Sequence, residues 1–457
     1  MTPFARAFPV AVSVCLAGGV LGAARPHYGG TLRIEATDAA AMRRVNALAF
    51  ETLVAADSAG GLRPALATSW QGDAGGRRWT FRVRRGVKLH DGSVLQPSHV
   101  ADALRAVHAD WQVAPDADAD AVAIDAGDAA RELPWELAGQ ANAIVVRPAA
   151  GASIGTGPFR VERVDAGLIA LRAYDDYWDS RPFLDAIEVR TNRQPADQLT
   201  DLETARADMV TIQPTDVRRM EQRGLRVEGS WPIELFVLAF EAHVATAASE
   251  SVRRTLAAAI DRGAIARVVL QGRAEAAGAL LPQWISGYAP VVVGRTGEPL
   301  SRSAVAALTP DRRTLALRVA VSDPAAQAVA QRIAVNARDA GFVMTVQSPA
   351  GLGPRFDVRL LRLPMRGPTP GAALSEVMAG VGPRTVALAG RVTPPEPGEP
   401  LDTVLRTERV LLERAVLVPI VHVPELYAVS PRFQTWNGSA VLASGAWNLA
   451  NVWLSTP

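Results

Sequence analysis

The chain has one cysteine in 457 residues, Cys15. A single thiol forms no internal disulfide and leaves a structural zinc site without Cys partners, so core burial must hold the fold together. Lysine is equally scarce: Lys88 is the only one, and it lies outside any G-x-x-x-x-G-K-[ST] loop, which leaves nucleotide hydrolysis without its phosphate cradle. Arginine therefore carries the positive charge, spread along the chain among Asp and Glu. With 48 Lys+Arg against 46 Asp+Glu, no basic patch argues for nucleic acid. The six histidines are scattered and none forms H-E-x-x-H; His90 beside Asp91 reads as a turn pair. No metal and no cofactor is expected.

What is present begins with a secretory pattern. Met1 to Ala24 combines Arg6, an apolar run from Ala7 to Leu21 and the small residues Gly22, Ala23 and Ala24, and so reads as a signal peptide. Cys15 lies inside that run. Bulky Val14 precedes it and apolar residues follow, so it reads as an inert cysteine of the signal rather than a lipid anchor. Residues 25–457 exceed what one core usually organises, and at least two lobes are expected.

The most informative stretch is Leu62 to Leu104. In Arg78 to Val83 the residues Trp79, Phe81 and Val83 alternate with polar ones, the period of a half-buried strand. His90, Asp91 and Gly92 make a turn, and Ser98 is placed as the N-cap of a helix running through Leu104. Further on, strands are expected at Gly29–Thr37, Leu168–Tyr174, Asp208–Ile212, Phe236–Phe240, Leu315–Val321, Phe342–Gln347, Phe356–Leu363 and Val418–Val423. Helices are expected at Asn46–Val54, Pro195–Ala205, Thr215–Arg223, Ser251–Leu270, Ala325–Ala340 and Leu401–Ala415. This βαβ rhythm indicates an α/β fold of sheets covered by helices. The Asp-rich stretch after Trp111 reads as a solvated loop, since it lacks the Gly and Glu of an EF-hand in register. Residues 291–313 and 368–400 read as Gly- and Pro-rich connections.

Gly151-Ala152-Ser153-Ile154-Gly155 fits G-x-S-x-G, but an alternating strand follows where a nucleophile elbow needs a helix. No catalytic residue is expected. Binding chemistry remains: two rigid lobes, a hinge crossed by more than one strand, and a cleft lined by aromatics with a few polar groups.

PALATSW, WTFRVRRGVKLHDG, GTGPFRVERV, YWDSRPFLD, the helix RRTLAAAIDR, PELYAVSPRF and the ending NLANVWL together resemble the family 5 extracellular solute-binding proteins, the peptide- and nickel-binding receptors of ABC importers. The resemblance covers both ends of the chain with gaps between. It implies a two-lobed periplasmic-binding-protein-like fold (type II, cluster C) with an inserted subdomain in the first lobe. The implied boundaries are 25–47, 153–242 and 434–457 for the core of lobe I, 48–152 for the subdomain and 243–433 for lobe II. It further implies a periplasmic or extracytoplasmic, monomeric receptor that delivers a peptide or other small solute to ABC permease subunits. The alternative is a degenerate member with a sensory or scaffolding role.

Aromatic candidates for the cleft are Phe50, Phe236, Trp284, Tyr288, Tyr427 and Trp436. Two departures from the family stand out. Glu241 follows the FVLAF run where the family generally has Asn. After Phe356-Asp357, where peptide receptors of the family carry a Trp and an acid that pairs with the peptide's ammonium, this chain has Leu363 or Pro364 and Arg366. Either the solute is neutral or anionic at that point, or the segment is a surface loop that has drifted.

Overall fold

The computed structural model describes residues 25–36, 41–56, 61–116, 118–127, 132–148, 151–241, 249–287, 299–321, 323–347, 356–396 and 398–455. The expected signal peptide with Cys15 and the candidate Tyr288 lie outside the described residues. Leu32 and Ile34 alternate with Arg33 along β1 (Thr31–Glu35) and enter the core of the first lobe. The helix that follows is Ala41–Ala49, not Asn46–Val54. It stops where Gly155 and Gly157 press against its last carbonyls: a Cβ at Gly155 would lie 2.1 Å from the Ala49 oxygen, and one at Gly157 2.3 Å from that of Leu48. No residue other than glycine fits this approach. The chain then leaves as β2 (Val54–Ala56), which pairs with β3 (Leu62–Pro64).

A four-stranded antiparallel sheet comes next, in the order β4 (Ala67–Gly72), β5 (Arg78–Val83), β7 (Ala121–Asp125), β6 (Gln112–Asp116). The last two overturn the loop expected after Trp111. Val113, Val122 and Ile124 supply enough buried apolar surface to pair an otherwise acidic stretch against β5. The helix Pro97–Val107 covers this sheet; Gln96 is its N-cap, and Ser98 lies inside its first turn.

The main sheet has eleven strands. β8 (Phe159–Asp165), β9 (Leu168–Ala173), β10 (Ala186–Arg190), β1 and β11 (Met209–Ile212) form its first half, with β1 parallel to both β10 and β11. β14 (Thr314–Val319), β15 (Val343–Gln347) and β16 (Val358–Pro364) belong to the second half. Two long strands traverse both halves, β12 (Arg226–Phe240) and β17 (Leu417–Val429), and the short β13 (Glu275–Ala276) adds to β17. Along β12, Phe236, Leu238 and Phe240 enter one apolar core and Leu235, Val237 and Ala239 the other. A continuous apolar run is what a strand buried on both faces requires. The chain closes with the strand pair β18 (Phe433–Thr435) and β19 (Val452–Leu454).

Two further expectations are corrected. The helix expected over Ser251–Leu270 breaks: Glu250–Ala259 ends at extended Ile260, and Asp261 caps a new turn by accepting from the Ala264 amide. A side chain that satisfies a free amide outcompetes helix continuation at that point. The Pro- and Gly-rich 368–400 contains the helix Pro370–Val381, with Thr369 as its cap. Glu241 pairs with Arg359 of β16 at 2.5 Å, so the acid that departs from the family pattern closes an ion pair between neighbouring strands.

Candidate functional site

The two halves of the sheet meet where β12 and β17 lose register. Arg226–Gly229 pairs with Val429–Leu426 and Glu234–Ala239 with Val423–Leu417, and between them Pro232 faces Pro424 with a register shift on either side. Proline donates no ladder hydrogen bond, so the sheet is least tied there. Side chains take over the lost bonds. The Glu425 amide donates to Ser230 Oγ at 2.9 Å, and Trp284 Nε1 donates to the Pro232 carbonyl at 2.9 Å while its ring meets Trp231 edge-on, centroids 5.1 Å apart.

Charged residues gather at the same place. Glu425 receives Arg44 of the helix Ala41–Ala49 at 2.9 Å and Arg366, just past β16, at 2.5 Å. The Tyr427 hydroxyl donates to it at 3.3 Å. Burial alone would raise the Glu425 pKa, but the guanidiniums of Arg44 and Arg366 outweigh that and hold it below the ordinary range. Gly445 leaves room for the carboxylate: a Cβ there would lie 3.0 Å from Glu425 Oε2 and 2.6 Å from Ile233. Arg44 lies over the rings of Tyr427 and Trp447, 5.7 and 5.8 Å from their centroids. Beside this cluster, Arg362 of β16 bonds Glu234 of β12 at 2.6 Å, Gln213 after β11 at 3.0 Å and Asp323 at 3.4 Å, and lies over Phe236.

The four-stranded subdomain touches the loop that carries Arg366. Gly139 packs against Pro368, since a Cβ on it would lie 3.4 Å from Pro368 Cγ. Burial raises the carboxyl pKa values of Glu132 and Glu136 of the subdomain.

Of the sequence candidates, Arg366, Tyr427, Phe236 and Trp284 fall at this junction. Phe236 and Tyr427 are fully buried, however, and offer no surface to a solute in this conformation. Trp284 is half-buried and props the proline bend. Phe50 lies apart, its ring against Gly155 and its carbonyl accepting from Gln140. Trp436 is 63% exposed, directly after β18. The sequence reading missed Arg44, Trp231, Glu234, Arg362 and Glu425. A charge within an otherwise apolar strand, as in LVPIVHVPELYAV, was the available signal for Glu425.

A shallow depression of about 330 Å³ lies elsewhere, lined by Arg160, Arg172, Arg181, Asp175, Asp176 and Asp185. Its charges largely satisfy one another, as in Arg181 with Asp175 and Asp185. No group of His, Cys, Asp and Glu suited to a metal ion occurs among the described residues.

The family model for "Bacterial extracellular solute-binding proteins, family 5 Middle" matches residues 61–357. The chain belongs to this family. A family 5 relative, the dipeptide-binding protein of Escherichia coli K12, is 22% identical over 281 residues, so the chain spans about half (52%) of that relative's length. Two solved structures share the fold of this family 5 chain. NikA from Brucella suis, in complex with Fe(III)-EDTA, superposes with a TM-score of 0.73 at 18% identity, covering 93% of this chain and 100% of that one. AppA from Bacillus subtilis, in complex with a nonapeptide, gives 0.70 at 16% identity, covering 94% and 100%. The fold of this family 5 protein is thus the two-lobed one.

Proposed function

We propose that this family 5 protein is an extracytoplasmic receptor that captures a small solute, peptide or peptide-like, between its lobes and delivers it to an ABC permease. The observation that carries the reading is the paired proline break in β12 and β17, at which charged and aromatic groups from both lobes converge. Relatives that bind a dipeptide or a nonapeptide support the solute class. On this reading residues 25–47, 153–242 and 434–457 build the core of lobe I, 48–152 its inserted subdomain and 243–433 lobe II. Because Leu426–Val429 of β17 pairs with β11, the end of lobe II on this reading falls within β17 rather than at 433. The receptor works as a monomer in the periplasm, after loss of its signal peptide.

A solute closes the lobes only by binding the closed form better than the open one, and a tenfold shift takes about 1.4 kcal/mol of such preference. Native mass spectrometry of gently purified protein is expected to show a retained small molecule, whose removal increases the radius of gyration in solution scattering. Repeated preparations with no retained molecule and no change in radius on adding peptide mixtures would overturn the reading.

A further inference from the structure

We propose that Glu425 is a built-in placeholder for a solute carboxylate: it pairs with Arg366, and a carboxylate of the solute takes its place there. The inference rests on the receptor reading above and names the chemistry the receptor selects.

The two arginines on Glu425 are unequal. Arg44 is fixed, with its side chain 9% exposed, spread over two aromatic rings and bonded to the carboxylate at 2.9 Å. Arg366 is 28% exposed and stands on irregular backbone between β16 and the helix Pro370–Val381. Its guanidinium bonds Glu425, and its main chain is anchored separately, the Arg366 and Gly367 amides donating to Glu376 Oε2 at 2.7 and 3.1 Å. The guanidinium can therefore change partner without the loop moving.

Removing one member of a buried ion pair is costly because the other charge is stranded. Exchange at Arg366 strands neither. Glu425 keeps Arg44 and the Tyr427 hydroxyl, and Arg366 receives a carboxylate of the same shape and charge, to which its planar fork is matched. A solute with an ammonium at this point meets an arginine and gains nothing. Because Arg44 and Arg366 come from different lobes, the same carboxylate also ties the lobes together before solute arrives.

Acetate is the probe, so the test does not depend on knowing the solute. Calorimetric titration of Glu425→Gln is expected to show acetate binding at least tenfold tighter than in wild type, and Glu425→Gln with Arg366→Met is expected to lose it. Equal binding in the single and double variants would place the anion at Arg44 and overturn the proposal, as would no gain in Glu425→Gln. Should Glu425→Gln fail to fold, Arg366→Met alone keeps Glu425 paired with Arg44. Wild type is then expected to show saturable thermal stabilisation by acetate and Arg366→Met none, and equal responses would overturn the proposal. If acetate behaves as expected while native mass spectrometry finds no solute and peptide mixtures leave the radius of gyration unchanged, the receptor reading fails and the carboxylate site stands.

Discussion

Pro232 of β12 faces Pro424 of β17, and the ladder between the strands slips on both sides of that pair. The two halves of the sheet are thus joined by two strands that pair without a break from Arg226 to Gly229, slip around Pro232 and slip once more between Phe236 and Val237, where β16 holds the other edge of β12 in unbroken register. Amides in such a gap open without global unfolding. Hydrogen exchange read by mass spectrometry is expected to be at least tenfold faster at Ser230–Ile233 than at Leu235–Phe240. Pro232→Ala with Pro424→Ala, which supplies two donors, is expected to narrow that difference and reduce closure on solute binding.

Trp284 holds the bend through one hydrogen bond and one ring contact. Trp284→Phe keeps a ring and leaves the Pro232 carbonyl without its donor, at a cost of about 1–2 kcal/mol. Trp284→Ala also loses the contact with Trp231, worth about 0.5–1.5 kcal/mol more, before counting buried area. Urea denaturation of the two variants separates these contributions, and the order wild type, Phe, Ala is the expected one.

Glu408 and His422 give opposite pH dependences from one site. The Leu280 and Leu281 amides donate to Glu408, while His422 Nε2 donates to the Leu280 carbonyl at 2.9 Å. Burial, opposed by those two amides, pushes the Glu408 carboxyl up to about 7, and burial, opposed by the carbonyl, pushes the His422 imidazole down to about 4. Between its unfolded value of 4.5 and about 7, Glu408 binds more proton in the folded chain, so its contribution falls as pH rises. His422 binds more proton in the unfolded chain between about 4 and 6.5, so its contribution rises with pH. The two slopes cancel from about 4.5 to 6.5. The unfolding free energy of Glu408→Gln, from urea denaturation, is therefore expected to climb across that window by an amount approaching about 3 kcal/mol, while that of His422→Gln falls toward pH 7.

Much of the scaffold was legible because its signals are local. The alternation in Arg78–Val83 and the apolar run Phe236–Phe240 lie in strands as expected, and the helix Pro324–Asp339 falls within one residue of its expected bounds. The errors arose where distant contacts decide. Gly155 and Gly157 set the end of the first helix from far along the chain, β5 turns the acidic stretch after Trp111 into sheet, and a single capping bond at Asp261 divides an apparently continuous helix. The charged junction was least legible. Arg44, Arg366 and Glu425 stand in three separate segments, and each alone is an ordinary charge; only the fold brings them onto one carboxylate.

Glu51 provides the sharpest test of how the subdomain is fastened. Its buried carboxylate accepts from Thr156 at 2.8 Å and from Tyr177 and Trp178 at 2.9 Å, the last two being the aromatic pair of the YWDSRPFLD segment. Burial raises its pKa, and the three donors only partly oppose that. The folded chain therefore favours the protonated acid, and this contribution is lost as pH rises through the raised value. Glu51→Gln removes the buried charge, and because the Thr156 and Tyr177 hydroxyls can turn to accept from the new amide, the polar cluster stays satisfied. Glu51→Ala strands three donors at about 1–3 kcal/mol each, an upper bound where neighbours relax. Glu51→Gln is accordingly expected to melt near wild type at neutral pH with a flatter pH profile, and Glu51→Ala to lose several degrees or fail to fold. Tyr177→Phe, which deletes one donor and leaves the acceptor with two, is expected to fall between them.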